Sequence, residues 1–504
     1  MQFLPKDLLE KLEFDKLSAI AAGYCYGALG IHRIQTLQFF TDKPTVVQKL
    51  DETLEFTQAS ANNEPIPMRS YKAIGEDLKM LEIEDFVLSE ESLGRINQML
   101  IASHQLNHFF TDERKELYPT LFNRIQAIEF EPALIEAIER VIDDQNQIKP
   151  DASPALAKIR KKIGNKQREL DKIFKGLIGT YRSNGWLTDN IESFRNGRRV
   201  LSVPSEHKRK IRGIIHDEST TGKTAFIEPE QVIDVNNDIF DLVTEEKKEI
   251  YRILKELSAI LRPFIENLET YQDLIAYFDE IHAKATLAQT MNGVKPKVFG
   301  KPKMGIKGAV HPLLYLKNKE QEKVTVPFDL SLNPPNRILV LSGPNAGGKS
   351  ISMKSVGLIQ LMLQSGMLVP VEEDSEMGIF KKIFADIGDQ QSIEDDLSTY
   401  SSRLANMKAF LDAADKDSLV LIDEFGSGTD PKIGGAIAEA ILKKMNDQKV
   451  FGFITTHYSN LKIFAFKTRG LVNASMLFNK EELSPTYQLK VGKPGSSYAF
   501  EIAQ

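Results

Sequence analysis

Apolar residues recur at helical spacing through most of the first 290 positions and then give way to short continuous apolar runs. The chain therefore reads as a helical region followed by an α/β region. Leu8–Leu29, Thr45–Ala59 and Ile125–Asp144 show amphipathic spacing, with a break at Pro65 and Pro67. After Ser153-Pro154, which has the form of a helix start, Leu156, Ile159, Ile163, Leu170, Ile173 and Leu177 follow the three-four alternation of a heptad seam, broken at Lys166. Core packing is the ordinary meaning of such a stripe; its polar face carries Lys158, Arg160, Lys161, Lys162, Arg168 and Lys172. Asn196–Pro204 has the turn and alternation of a β segment, continued by residues 211–217 and 224–227. Helical spacing returns from Val235 to Leu261, Pro263 kinks or ends that helix, and a further helix runs to about Thr290. Residues 293–307, with five Lys and two Pro, read as a connector. The expected organisation is a helical core over 1–150, a basic insertion over 151–232, returning helices over 233–295 and an α/β domain over 296–504.

Chemistry enters with the apolar runs. Arg337–Leu341 predicts a buried strand, and Ile351 onward predicts a helix. Between them lies Ser342-Gly343-Pro344-Asn345-Ala346-Gly347-Gly348-Lys349-Ser350, which has the phosphate-binding spacing G-x-x-x-x-G-K-[ST]. Glycines let the backbone N–H groups face a phosphate at a helix N-terminus, where the dipole adds positive charge. Lys349 can reach the β- and γ-phosphates of ATP, and the Ser350 hydroxyl can bind Mg²⁺. Gly343 through Ser350 are thus the expected ATP-binding residues.

A second apolar run, Ser418–Asp423, ends in two carboxylates. An acid at the C-terminal end of a parallel strand lies where open α/β sheets hold ligands. Asp423 is a candidate Mg²⁺ ligand, with Ser350, and Glu424 is a candidate to orient or deprotonate the attacking water. A third run, Val450–Ile454, leads to His457, which could contact the γ-phosphate or that water. The hydroxyl residues at Leu397–Ser402, before a helix predicted over roughly 400–413, are open to two readings. They are N-caps, or they donate to a phosphate.

GPNAGGKS, FADIGDQQSIEDDLSTYSSRL, LVLIDEFGSGTDP and TTHYSNLK, in this order and spacing, resemble the ATPase domain of the MutS proteins, in the ABC class of P-loop NTPases. The resemblance implies two ATPase domains facing head to tail in a homodimer, with Ser398 and Thr399 of one completing the γ-phosphate site of the other. It also places Asp430 in the loop linking the two sites and makes His457 the switch histidine. LSTYS stands where transporter ATPases carry LSGGQ, which counts against a transporter motor. LEFDKLSAIAAGYC, DASPALAKIRKKI, the run from Asn196 to Asn237 and GKPGSSYAFEIA extend the likeness to essentially the whole chain, and to the second bacterial MutS family in particular. That branch opens with the helical core and lever and a clamp, without mismatch-reading domains, so mismatch reading is not expected. Its members continue into a small Smr nuclease domain whose LDLRG and HGxG motifs are not found here, so nuclease activity is not expected of these residues.

Composition narrows the partners. The 504 residues suggest two to four domains, no apolar stretch is long enough to span a bilayer, and the single Cys25 excludes an intrachain disulfide. A cytoplasmic protein with no membrane partner is expected. The net charge of −6 hides an uneven distribution: residues 149–223 hold 18 Lys and Arg against 8 acids. One basic arm on an acidic body suits a phosphate backbone, although a solvated helix face would look the same. The resemblance implies ATP hydrolysis that moves a clamp on branched or duplex DNA in repair or recombination. The alternative that the same resemblance implies is a ribosome-associated ATPase gripping rRNA on stalled or collided ribosomes.

Overall fold

The computed structural model describes residues 1–189, 191–343, 348–388, 399–427, 430–479 and 484–492. The chain forms two compact units, one of residues 1–70, 105–128 and 273–504, the other of residues 71–104 and 129–272. The chain passes between them four times, after residues 70 and 128 and within the helices Glu90–Phe109 and Ile265–Met291. Residues 1–150, expected as the first part of a helical core, are divided between the two units.

The first unit is built on a seven-stranded sheet. Its order is Gln2–Leu4, Lys382–Asp386, Ser418–Ile422, Phe451–Thr455, Ile338–Ser342, Leu471–Asn479 and Ser484–Val491. Every pairing is parallel except the last. Both faces are buried, which explains the continuous apolar runs. Leu339, Leu341, Leu419 and Leu421 enter one core, while Ile338, Val340, Val420 and Ile422 enter another on the opposite face. The helix Lys349–Gln364 lies in the first core and is buried along most of its length.

Four local expectations differ from what is observed, the first being Ile125–Asp144, which is helical only over Pro132–Glu139. Gln2–Leu4, read as part of a helical region, instead forms the edge strand beside Lys382–Phe384. Leu8–Leu29 is not one helix but Leu8–Lys11, Phe14–Ala22 and the start of Ala28–Gln35, interrupted at Glu13, whose φ is 60°. Residues 293–307 are not a bare connector. Lys297–Phe299 and Met304–Ala309 join Glu376–Gly378 and Phe328–Leu332 in a four-stranded sheet. Met304, Ile306 and Ala309 supply its buried side, a sparse apolar signal that the surrounding lysines hide.

The second unit carries the basic arm. Ser153 caps the helix Pro154–Ser183, its Oγ accepting from Leu156 N at 3.0 Å. That helix packs along Ile233–Leu261. Leu156, Ile159, Ile163 and Leu170 are buried as the seam requires, but further on Phe174 and Tyr181 replace Ile173 and Leu177 as its deepest residues. They close over an antiparallel sheet of order Glu192–Arg195, Arg198–Pro204, Thr224–Pro229 and Gly213–Glu218. Among the described residues no helix is long and apolar enough to cross a membrane.

Candidate functional site

Three neighbouring strands deliver the polar residues to one end of the parallel sheet. Ile338–Ser342 runs into the glycine-rich loop, Ser418–Ile422 ends at Asp423-Glu424, and Phe451–Thr455 ends before His457. Gly343 and Gly348 take φ values of 139° and 87°, conformations that L side chains resist, and the helix begins at Lys349. Pro344, Asn345, Ala346 and Gly347 lie outside the described residues, as does Ser398. Thr399 opens the helix Thr399–Ala413, but its side chain is not among those described.

Lys349 is 2% exposed. Its Nζ donates to Gly343 O at 2.6 Å and lies 3.2 Å from His457 Nε2. Burial pulls the ammonium down to about 8, against the attraction of Asp423 and Glu424. Burial and then the Lys349 charge pull His457 below its ordinary value, so near neutral pH the imidazole is uncharged and its Nε2 can accept from Lys349. The two effects are mutually consistent: one buried cation suppresses a second beside it.

Asp423 is buried, and its Oδ1 accepts from Thr455 Oγ1 and from Glu424 N at 3.2 Å. Thr455 Oγ1 also accepts from Glu424 N at 2.8 Å. Glu424 has φ 49°, an uncommon conformation for a residue with a Cβ, and the chain turns there before Phe425 N donates to Thr455 O at 2.8 Å. Asp430 caps the helix Pro431–Asp447, accepting from Lys432 N at 3.0 Å and Ile433 N at 3.2 Å. Ser350 is the second residue of the helix after the loop. A hydroxyl and a buried carboxylate with one oxygen still unengaged among the described residues suit a hard divalent cation such as Mg²⁺.

Several residues of this end carried no expectation. Asp386 ends the neighbouring strand, where burial raises its carboxyl above the usual value; Arg403 at 3.7 Å and Asn406 Nδ2 at 3.2 Å attend it. Arg403 also donates to Ser427 Oγ, tying Asp386 to the turn after Glu424. Lys462, in the run after His457, adds a second positive field at Lys349. Asp386 and Lys462 stand within the runs that carry the MutS resemblance, which was their only signal in the sequence.

A cavity of about 280 Å³ opens beside Gly348, lined by His311, Val324, Val326, Ile351, Met476 and Tyr487 among others. Val324 is 87% exposed, so it lines this opening and is not core. Burial pushes His311 down to about 4, leaving a neutral ring whose Nδ1 accepts from Leu314 N at 3.4 Å. A mostly apolar slot next to a phosphate-loop glycine has the chemistry of a base pocket.

The basic helix divides its charges. Arg160 is occupied by Glu246 at 2.7 Å and Ile148 O at 3.1 Å, and Arg168 by Asn165 Oδ1 at 2.6 Å. Lys158, Lys161, Lys162 and Lys172 are exposed and carry no ion pair among the described residues.

Residues 339–504 match the family model for MutS domain V. The chain is similar to a protein of Enterococcus faecalis named Endonuclease MutS2, 37% identical over 99% of this chain and 62% of that protein. It is similar to proteins of the same name from Ruminiclostridium cellulolyticum, 37% identical over 98% of this chain and 62% of that protein, and from a Geobacillus species, 36% identical over 99% and 63%. The chain thus spans a little under two thirds of the curated relatives it matches.

Proposed function

The chain belongs to the MutS superfamily, matching its MutS2 branch along nearly its whole length, and from that premise we propose that it is an ATPase of the ABC class that works a nucleic-acid clamp. The observation that supports this most is the meeting of Lys349, His457, Asp423 and Glu424 at the C-terminal ends of three adjacent parallel strands, beside a helix N-terminus.

The chemistry is phosphoryl transfer to water, which depends on positioning and charge stabilisation. Lys349 Nζ, now spent on Gly343 O and His457, turns to the β- and γ-phosphate oxygens of ATP. The N–H groups of the loop from Gly343 to Ser350 and the helix dipole add to its charge. Ser350 and Asp423 would hold Mg²⁺, which when bound neutralises phosphate charge. Glu424 aims the water, from a backbone whose N–H is held by Thr455 and Asp423. His457, kept neutral, is free to hydrogen-bond the γ-phosphate or the water. Ser398 and Thr399 of a second copy would close the site, and Asp430 would stand in the loop between the two sites. The cavity bounded by His311, Val326 and Tyr487 receives the adenine. We assign this chemistry, and not the nuclease activity in the relatives' name, to these residues. ATP-dependent dimerisation, followed by light scattering, tests the composite site; a chain that stays monomeric with ATP removes Ser398 and Thr399 from the mechanism.

Protonation gives a second test. Nucleotide-free protein carries the cost of a charged Lys349 below about pH 8, and that cost is relieved as pH rises through 8 toward the unfolded value. Bound phosphates favour the ammonium and raise its pKa again. ATP binding at pH 8.5 should therefore take up protons, toward one per site, and bind more weakly as pH rises further. Calorimetry in buffers of different ionisation enthalpy reads this directly. Uptake that persists in Lys349→Arg would assign the proton elsewhere.

The clamp reading rests on Lys158, Lys161 and Lys162. Reversing all three to Glu should reduce the steepness of the log K against log[salt] plot for duplex DNA by about 2–3. An unchanged slope removes this helix from the interface. The same charges would serve DNA or rRNA, and co-sedimentation with ribosomes set against binding to branched DNA separates the two.

A further inference from the structure

A second basic groove lies in the first unit at the other end of the parallel sheet from Lys349. Its walls come from the loop after Lys297–Phe299, from the turn before Ile338–Ser342, and from the loops that lead into Ser418–Ile422 and Phe451–Thr455. These are the N-terminal ends of the strands, a strand length of roughly 15 Å from the glycine-rich loop. The groove encloses about 720 Å³ and is bordered by Lys301, Lys303, Arg337, Lys416 and Lys449, with no carboxylate in its lining.

The accounting of these cations shows spare charge. Lys303 is paired with Glu376. Asp415 and Asp417, on either side of Lys416, are taken by Lys382 and Lys381. Lys301, Lys416 and Lys449 are exposed and have no ion pair among the described residues. Arg337 is held by neutral acceptors, Asn446 Oδ1 at 2.9 Å and two carbonyls at 3.3 Å, while its Nε is buried without a partner, as is Asn333 Oδ1 beside it. Burial alone pulls the Arg337 guanidinium below its ordinary value, because no acid offsets it. Lys449 adds a structural cost, since φ is 62° at a position after a helix where Gly or Asn is the inexpensive choice.

We propose that this groove is a second nucleic-acid site, separate from the basic helix, which takes the phosphodiester backbone of a single strand. Three lysines without an ion pair among the described residues border this one groove, and a phosphodiester strand is a ligand that carries repeated negative charge. Phe299, half-exposed with Lys303 4.5 Å from its ring centre, and Pro302 and Pro334 add apolar surface on which a base can rest. A phosphate strand offers both a repeating charge and flat apolar faces; an acidic peptide offers only the charge.

The test uses the whole chain with Lys301→Glu, Lys416→Glu and Lys449→Glu combined, and a fluorescent 20-mer of deoxythymidine as the probe. Each phosphate contact contributes about 0.7 to the salt slope for single strands, so the combined variant should lose about 2 of that slope and bind roughly tenfold or more weakly at low salt. The loss should persist when Lys158, Lys161 and Lys162 are already reversed, and ATP turnover and melting temperature should not change. If the combined variant is unstable, each single exposed substitution should still remove about 0.7 of the slope. An unchanged slope overturns the proposal. So does a variant that weakens binding of polyglutamate while leaving the oligonucleotide untouched, which would make the groove a peptide site. Neither result bears on the ATPase reading, which is measured separately by turnover.

Discussion

Replacing Glu424 by Gln should leave ATP binding intact and slow hydrolysis by roughly 10²- to 10⁴-fold, the usual worth of a positioned general base. The substitution keeps the shape of the side chain and every backbone contact of the turn. Glu424 N still donates to Thr455 Oγ1, Asp423 is untouched, and the left-handed conformation at φ 49° is as available to Gln as to Glu. Only the acceptor strength toward a water changes. The backbone makes the position informative: a residue with a Cβ is held at φ 49°, with Glu424 N donating to Thr455 and Asp423. If subunits close over ATP, the variant should also accumulate as a nucleotide-bound dimer. Turnover at the wild-type rate in single-turnover and steady-state assays would remove Glu424 from the mechanism. Loss of ATP binding would mean that it shapes the pocket and does not act on water.

Glu228→Ala should destabilise the second unit by about 3–5 kcal/mol, the cost of breaking a buried ion pair from one side. Glu228 is 0% exposed. Its carboxylate takes Arg198 Nη1 at 2.9 Å, His216 Nε2 at 2.6 Å and Asn236 Nδ2 at 2.8 Å. These partners come from two further strands and from the helix Ile233–Leu261, so one side chain joins the sheet to the helix that accompanies the basic arm. Alanine leaves a guanidinium and an imidazole facing an empty polar site. Glu228→Gln keeps the acceptor oxygen and should cost less. Thermal unfolding read beside limited proteolysis of residues 129–272 reports the loss, while ATP turnover in the first unit should remain. A melting temperature within a degree of wild type would show that the network is replaceable by water.

The elements that the sequence announced well are those whose signal is local. Ile338–Ser342, Ser418–Ile422 and Phe451–Thr455 are buried on both faces, and no polar residue interrupts them. Ser153-Pro154 carries its own cap, so the start of the long basic helix could be read from two residues. The misreadings share a cause of the opposite kind. Gln2–Leu4 is a strand only because Lys382–Phe384 offers it an edge, and three residues have no pattern of their own. Met304–Ala309 is a strand because Phe328–Leu332 and Glu376–Gly378 flank it, while Lys307 and the lysines before it suggest a linker.

The site divides in the same way. Residue type and order in the chain were enough to single out Lys349, Ser350, Asp423, Glu424 and His457 as candidates, because a glycine turn with a cation suits a phosphate, and acids at strand ends suit a divalent cation or a water. Sequence alone also determined that residues 149–223 are basic within an acidic chain. Which of those charges are available was decided only in three dimensions, where Arg160 turns to Glu246 while Lys158, Lys161 and Lys162 face solvent. Tertiary structure alone brought Asp386 and Arg403 beside the turn after Glu424, set Tyr487 against the cavity at Gly348, and gathered Lys301, Lys416 and Lys449 around one groove. The physical reason is range. Backbone propensity and burial pattern are written within a few residues, whereas electrostatic pairing depends on distances that only the folded chain sets.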